Sequence, residues 1–262
     1  MLNLDIYQII SEYLFNIIDV INIYNLSKIH RNNIHIYNLD KISNVNIIRK
    51  KLTSQILEQQ KFKYVTKLNI IGNTAIKDIN HFKYLKKLKC GWKCGVTQQG
   101  ISDSINLITL NANNNNLIID VNHMKFLKKL HCSSFCCISQ KGISTLNNLI
   151  FLNANYNNLI NDLNHLDKLE VLYCNGSCSE IKQESIKKLV NLKKLSVDNN
   201  TDIYDVNHLQ KLEELSCCDL SAINQEGIKD LKNLKLLTSL GNHKIKNVNN
   251  LPNINWIKWI NI

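Results

Sequence analysis

The sequence predicts an α/β solenoid: about ten short coils, each lending one strand to a parallel β-sheet on a concave face, behind a small N-terminal helical segment. Two observations carry that prediction. The pattern L-x-x-L-x-(small apolar) occurs ten times, at spacings that alternate between 20 and 22 residues with one inserted residue near 175–180. The apolar residues, 44% of the chain, are spread at these short intervals, and no run reaches the roughly 18 residues of a membrane span.

Residues before about 60 lack the repeat. Leu4-Asp5-Ile6, Ile9-Ile10 and Tyr13-Leu14 have helical spacing, and a second apolar run from Ile17 to Ile29 has Asp19 available as a cap. A third stretch, Val45 to Leu57, is placed to close the open end of the solenoid, because a first coil without a cap exposes core. The expected organisation is therefore a helical motif over 1–40, a helical linker and cap over 41–63, and the solenoid over 64–262.

Within the solenoid the ten copies are Val65-Leu68-Ile70, Leu85-Leu88-Cys90, Leu107-Leu110-Ala112, Leu127-Leu130-Cys132 and Leu149-Leu152-Ala154, then Leu169-Leu172-Cys174, Leu192-Leu195-Val197, Leu212-Leu215-Cys217, Leu234-Leu237-Ser239 and Ile254-Ile257-Trp259. The shorter coils continue with Asn73, Asn115, Asn157, Asn200 or Asn242, and three residues later with Ile76, Ile118, Ile160, Ile203 or Ile245. An Asn there can satisfy backbone groups left open where the strand turns away. The longer coils read Val96-Thr97-Gln98-Gln99-Gly100-Ile101, Ile138-Ser139-Gln140-Lys141-Gly142-Ile143 and Ile223-Asn224-Gln225-Glu226-Gly227-Ile228, with a looser copy at 181–186. Thr97, Ser139 and Asn224 are suited to capping a short helix.

These patterns resemble the leucine-rich repeats, the longer coils being similar to the cysteine-containing subtype frequent in F-box proteins, although Cys94, Cys136 and Cys178 sit one place later than that subtype's cysteine. The start of the chain resembles an F-box. Leu2-Asn3-Leu4-Asp5-Ile6, Ile10-Ser11-Glu12-Tyr13-Leu14, Asp19-Val20-Ile21-Asn22-Ile23 and Leu26-Ser27-Lys28-Ile29-His30-Arg31 match its four steps, with Asn3 where the family has Pro and His30 where it has Trp. The resemblance implies that Leu4, Ile6, Ile10, Leu14, Val20 and Ile21 dock on the small adaptor subunit of a cullin ubiquitin ligase, while the repeats hold a target protein. The alternatives are a stand-alone repeat protein that binds a partner without any ligase, and a basic nucleic-acid binder.

The net charge of +11 favours that last reading less than its size suggests, since the only arginines are Arg31 and Arg49, and arginine is the usual choice for bidentate phosphate and base contacts. No Gly-rich phosphate loop, H-E-x-x-H or G-x-S-x-G is present, so no catalytic residue, cofactor or small-molecule substrate is expected. His81, His123, His165 and His208 recur in alternate coils, roughly 10 Å apart at sheet spacing, too far to share a metal. The same distance keeps Cys90, Cys132, Cys174 and Cys217 from forming disulfides and leaves them as small core residues. The first residues lack the basic opening of a signal peptide, which points to a reducing compartment, the cytoplasm or the nucleus, with nine free thiols.

Side chains alternate along a strand, so the residues flanking each central Leu should face outward on the concave side. In order they give Lys87 and Lys89, Lys129 and His131, Phe151 and Asn153, Tyr173, Lys194 and Glu214: a basic end, an aromatic and amide middle, and an acidic end. Aromatic anchors in a polar frame suit a protein target. The last strand, Asn255 to Ile260, is expected to be an edge through which copies self-associate.

Overall fold

Each copy of the apolar motif forms a three-residue strand centred on its second apolar residue. The computed structural model describes residues 36–40, 53–58, 62–177 and 179–258. Two compact units emerge, one holding residues up to 119 together with 123–127, the other 120–122 and the chain from 128 onward. The first contains β1 (Asn38–Leu39), β2 (Lys67–Asn69), β3 (Lys87–Lys89) and β4 (Thr109–Asn111), paired in parallel in chain order. The second contains β5 (Lys129–His131), β6 (Phe151–Asn153), β7 (Val171–Tyr173), β8 (Lys194–Ser196), β9 (Glu214–Ser216), β10 (Leu236–Thr238) and β11 (Trp256–Lys258), again paired in parallel in chain order.

Within each unit the register puts each central Leu beside the next, Leu152 against Leu172 against Leu195 for example, and these residues are almost completely buried. A single coil could not hide them. Stacking removes each from water, worth about 1.5–3 kcal/mol per side chain. β1 is one strand more than the repeats announce; it has no full motif of its own and pairs with β2 through Asn38 and Leu39. The short helix α1 (Ser54–Leu57) buries Leu57 and starts at Thr53, whose hydroxyl accepts from Ile56 N at 3.3 Å. The F-box-like residues Leu4, Ile6, Ile10, Leu14, Val20 and Ile21 lie outside the described residues.

The expected Asn staple is built. Asn115 Nδ2 donates to the carbonyls of Cys90 and Val96 at 2.8 and 3.4 Å, and its Oδ1 accepts from Leu117 N at 2.9 Å. Asn157 repeats this with Cys132, Ile138 and Leu159, as does Asn242 with Cys217, Ile223 and Lys244. Each buried amide thus satisfies two carbonyls in buried bonds and one N–H in a partly buried one.

The returns are tighter than a helical reading suggests. They carry α2 (Gln140–Ile143) and the 3-10 turns Gln99–Ile101, Gln183–Ile186 and Glu226–Ile228, since coils of this length leave room for a single turn. Thr97 and Asn224 cap as expected, accepting from Gly100 N and Gly227 N at 3.1 and 3.0 Å; Ser139 makes no such side-chain bond. Gly100 is required by close approach, because a Cβ there would stand 2.0 Å from the Lys77 carbonyl oxygen. Where the looser copy has Ser185 instead, its hydroxyl donates to Asn161 O and turns the approach into a hydrogen bond.

Further side chains sew the returns together. Asn80, Asn122, Asn164 and Asn207 each donate to a carbonyl in the following coil and accept a backbone N–H from it, as Asn164 does with Glu184 O and Lys188 N at 2.8 and 2.9 Å. The histidines reach the other way. Nε2 of His123, His165 and His208 lies 2.9–3.2 Å from the carbonyls of Ile101, Ile143 and Ile186, so the ring shapes the turn of the preceding coil. Gln98, Gln140, Gln183 and Gln225 accept from backbone N–H groups one coil on.

Candidate functional site

The residues left over from this sewing are those on the strand face, and the two units use them differently. In the first unit Lys87 and Lys89 flank Leu88 and point out of the sheet, as the alternation requires. They are not free. Asp40, just after β1, puts its carboxylate oxygens 2.8 Å from Lys87 Nζ and 2.8 Å from Lys89 Nζ. Burial works against ionisation of Asp40, but the two ammonium groups outweigh it and hold the carboxyl below its ordinary pKa. The two lysines at the basic end read from the sequence therefore share one carboxylate, which offsets one of their two charges and belongs to a residue the repeat pattern did not include.

In the second unit the face of β5–β7 is aromatic. His131 and Phe151 have ring centroids 4.7 Å apart, and Phe151 and Tyr173 5.7 Å apart. The contacts run diagonally, because Phe151 is in register with Lys129 and Val171, while His131 is in register with Asn153 and Tyr173. All three rings remain half-exposed. Lys194 Nζ extends the row 5.9 Å from the Tyr173 ring and also meets the carboxylate of Glu214 at 2.5 Å. The bond it donates to Glu214 is the main reason the Lys194 ammonium is held above its ordinary pKa.

Where these strands end, a polar row takes over. Asn155 Oδ1 accepts from Asn175 N, and Asn175 Oδ1 accepts from Ser196 Oγ and Asp198 N, all within 2.8–2.9 Å. Asp198 Oδ1 in turn accepts from Ser216 Oγ and Cys218 N at 2.7 and 2.8 Å. Beyond β6, Tyr156 is left-handed (φ 56°), half exposed, with its ring against Gly176, where a Cβ would come within 2.4 Å of Cδ1. Other copies place Gly72, Asn114, Asn199 or Gly241 in that conformation, residue types that tolerate it, but also Trp92, Ser134 and Asp219, so the left-handed strand exit recurs whatever residue fills it.

The structure thus places Lys129, His131, Phe151, Asn153, Tyr173, Lys194 and Glu214 on one face of the second unit, and Lys87 and Lys89 on the strand face of the first. Sequence reasoning placed Asn155, Asn175, Asp198 and Cys218 on the outward side and Tyr156 at a strand exit, but missed Asp40, the hydrogen bonds that join the polar row and the left-handed backbone of Tyr156. A short apolar step, Ile36 to Leu39, was the one available sign of β1. Among the described residues no group of side chains is suited to holding a metal ion. The core cysteines are free thiols, and burial pushes Cys94 up to about 11 and Cys136 up to about 12, so at neutral pH they stay protonated and behave as apolar filler. No helix among the described residues is long and apolar enough to cross a membrane.

The chain matches no protein-family model and no curated protein. Among solved structures it is similar to the functional domain of InlJ from Listeria monocytogenes, which includes a cysteine ladder, with TM-score 0.54 and 18% identity over 76% of this chain and 49% of that one. It is also similar to the TLR13 chain of a complex with ssRNA13, with TM-score 0.54 and 18% identity over 76% of this chain and 36% of that one. Both neighbours are leucine-rich-repeat proteins. The fold of this chain is the leucine-rich-repeat fold. The chain spans about half the length of the first neighbour and about a third of the second.

Proposed function

We propose that this chain is a non-enzymatic binding scaffold that holds a protein partner on its strand face, anchored on β5–β7. The observation that carries the proposal is the half-exposed zigzag of His131, Phe151 and Tyr173. Three rings held side by side by a rigid sheet present large contact area at little cost in side-chain entropy, the profile of an interface anchor. Asn153 and Lys129 provide the polar rim, and the Lys194–Glu214 pair bounds the row on its far side. Nucleic acid, which TLR13 meets in its complex with ssRNA13, is less well served here, because Lys87 and Lys89 are both held by Asp40, which offsets one of their two charges.

Within this reading, residues 1–40 act as an F-box-like segment in which Leu4, Ile6, Ile10, Leu14, Val20 and Ile21 dock on the cullin-ligase adaptor, making the chain a substrate receptor. What supports this is the run of four matching steps from Leu2 to Arg31. The receptor would raise the effective concentration of a target for other subunits and form no bond itself. Co-purification of the adaptor with the full chain, and its loss in the Leu4→Lys/Ile10→Lys variant, is the expected result. A folded full-length chain that never retains the adaptor would leave a scaffold without a ligase.

A further inference from the structure

The hydrogen-bonding capacity of the second unit's strand face is unevenly spent. On β8 and β9, Ser196 and Ser216 donate to Asn175 and Asp198, and Lys194 pairs with Glu214. That part of the face satisfies itself. On β5 and β6 the outcome differs. Asn153 Oδ1 accepts from Asn155 N at 3.1 Å, and Asn155 Oδ1 from Asn175 N at 2.8 Å. With both oxygens turned to the backbone, each amide presents its NH2 group, and neither NH2 meets an acceptor among the described residues. Lys129 is exposed and forms no ion pair among the described residues. The unspent groups beside the aromatic row are thus a cation and two amide donors, with no unspent carboxylate on β5–β7.

We infer that β5–β7 bind an extended peptide segment of a partner protein that carries an Asp or Glu side chain for Lys129 and an apolar side chain that lies on the Phe151 and Tyr173 rings, with its backbone carbonyls accepting from Asn153 and Asn155. This rests on the reading of the strand face as a binding surface. Donors without acceptors call for a ligand rich in acceptors. A peptide fits better than a nucleic acid, because a strand of phosphates needs several cations in a row. Among the described side chains on β5–β9, Lys129 is the only unpaired lysine, and Glu214 closes the other side. Geometry also sets the spacing. The Phe151–Tyr173 pair spans β6 and β7, about 5–10 Å from β5 at sheet spacing; an extended peptide advances about 3.3 Å per residue and alternates its side chains, so the acid and the apolar residue, both facing the sheet, should stand two positions apart.

The test is selection of displayed random peptides about ten residues long on the full chain, followed by titration of the selected peptides, synthesised free, against the Lys129→Glu and Tyr173→Ala variants. Circular dichroism checks that both variants fold. The expected peptides carry an acid two positions from Leu, Ile, Val or Phe, lose about tenfold or more in affinity with Lys129→Glu, and bind more weakly as salt rises. Peptides without an acid that still depend on Tyr173 would overturn the acidic class and leave the strand face as the binding surface. Peptides indifferent to both variants would overturn that reading too. A library that yields no binder, or a single-stranded uridine oligomer that displaces the selected peptides, would overturn the peptide class itself.

Discussion

On the return side, Asn122, Asn164 and Asn207 stand in successive short coils and make the same pair of contacts, a donated bond to a carbonyl and an accepted bond from an N–H one coil on. On the strand face, the residues in register with Phe151 read Lys129, Val171, Lys194 and Glu214, with no chemistry in common. Repeats inside one chain serve as their own comparison. A position that every coil fills alike is one that stacking demands, since each coil poses the same backbone groups to its neighbour. A position that every coil fills differently is free of that demand. The clustering of rings and unspent donors on β5–β7, and the self-satisfied network on β8–β9, are therefore features the fold did not require.

The comparison breaks most visibly in the core. Leu152→Ala should cost about 2–5 kcal/mol, while Phe151→Ala, its outward neighbour, should cost about 1 kcal/mol; urea unfolding midpoints measure both. Equal losses would mean that the aromatic row is part of the scaffold. Next in size are the two asparagines of one coil. Asn157→Ala strands two buried carbonyls and a partly buried N–H and should cost roughly 2–4 kcal/mol, whereas Asn153→Ala should stay within about 0.5 kcal/mol and weaken peptide binding instead.

A smaller effect, about 1 kcal/mol, is expected for His165→Ala, which loses its bond to Ile143 O. A matching loss in His208→Ala would sharpen the case that the histidines are structural, and retention of stability in both would break it. The smallest effect concerns acid. Because the folded carboxyl of Asp40 is held below its ordinary value, its stabilising contribution is present above about pH 4 and is lost as pH falls through the depressed folded value. Asp40→Asn should therefore lose less of its thermal midpoint than the wild type between about pH 6 and pH 3. An identical loss would remove Asp40 from the account.

The fold was legible because its cause is local and repeated. Three apolar positions per coil, the small residue after them and the Asn eight places on are all properties of one coil and its neighbour, so spacing alone locates ten of the strands. The cysteine ladder was legible for the same reason: an alternate small position inside a stack of strands admits a thiol and nothing that reaches another. Outward residues were legible as a set through the period of two. What each one touches was not. Asp40 reaches Lys87 across 47 residues of sequence, Asp198 gathers partners from three coils, and Tyr156 takes a left-handed backbone to lay its ring on Gly176. Such contacts depend on side-chain direction and on which donors are already spent. The sequence by itself determined the coil, its period and its buried face, because hydrophobic burial follows spacing. Only the tertiary structure decided that the lysines of β3 share the carboxylate of Asp40 and that the cation and amides of β5 and β6 are left unspent, because pairing follows distance in space.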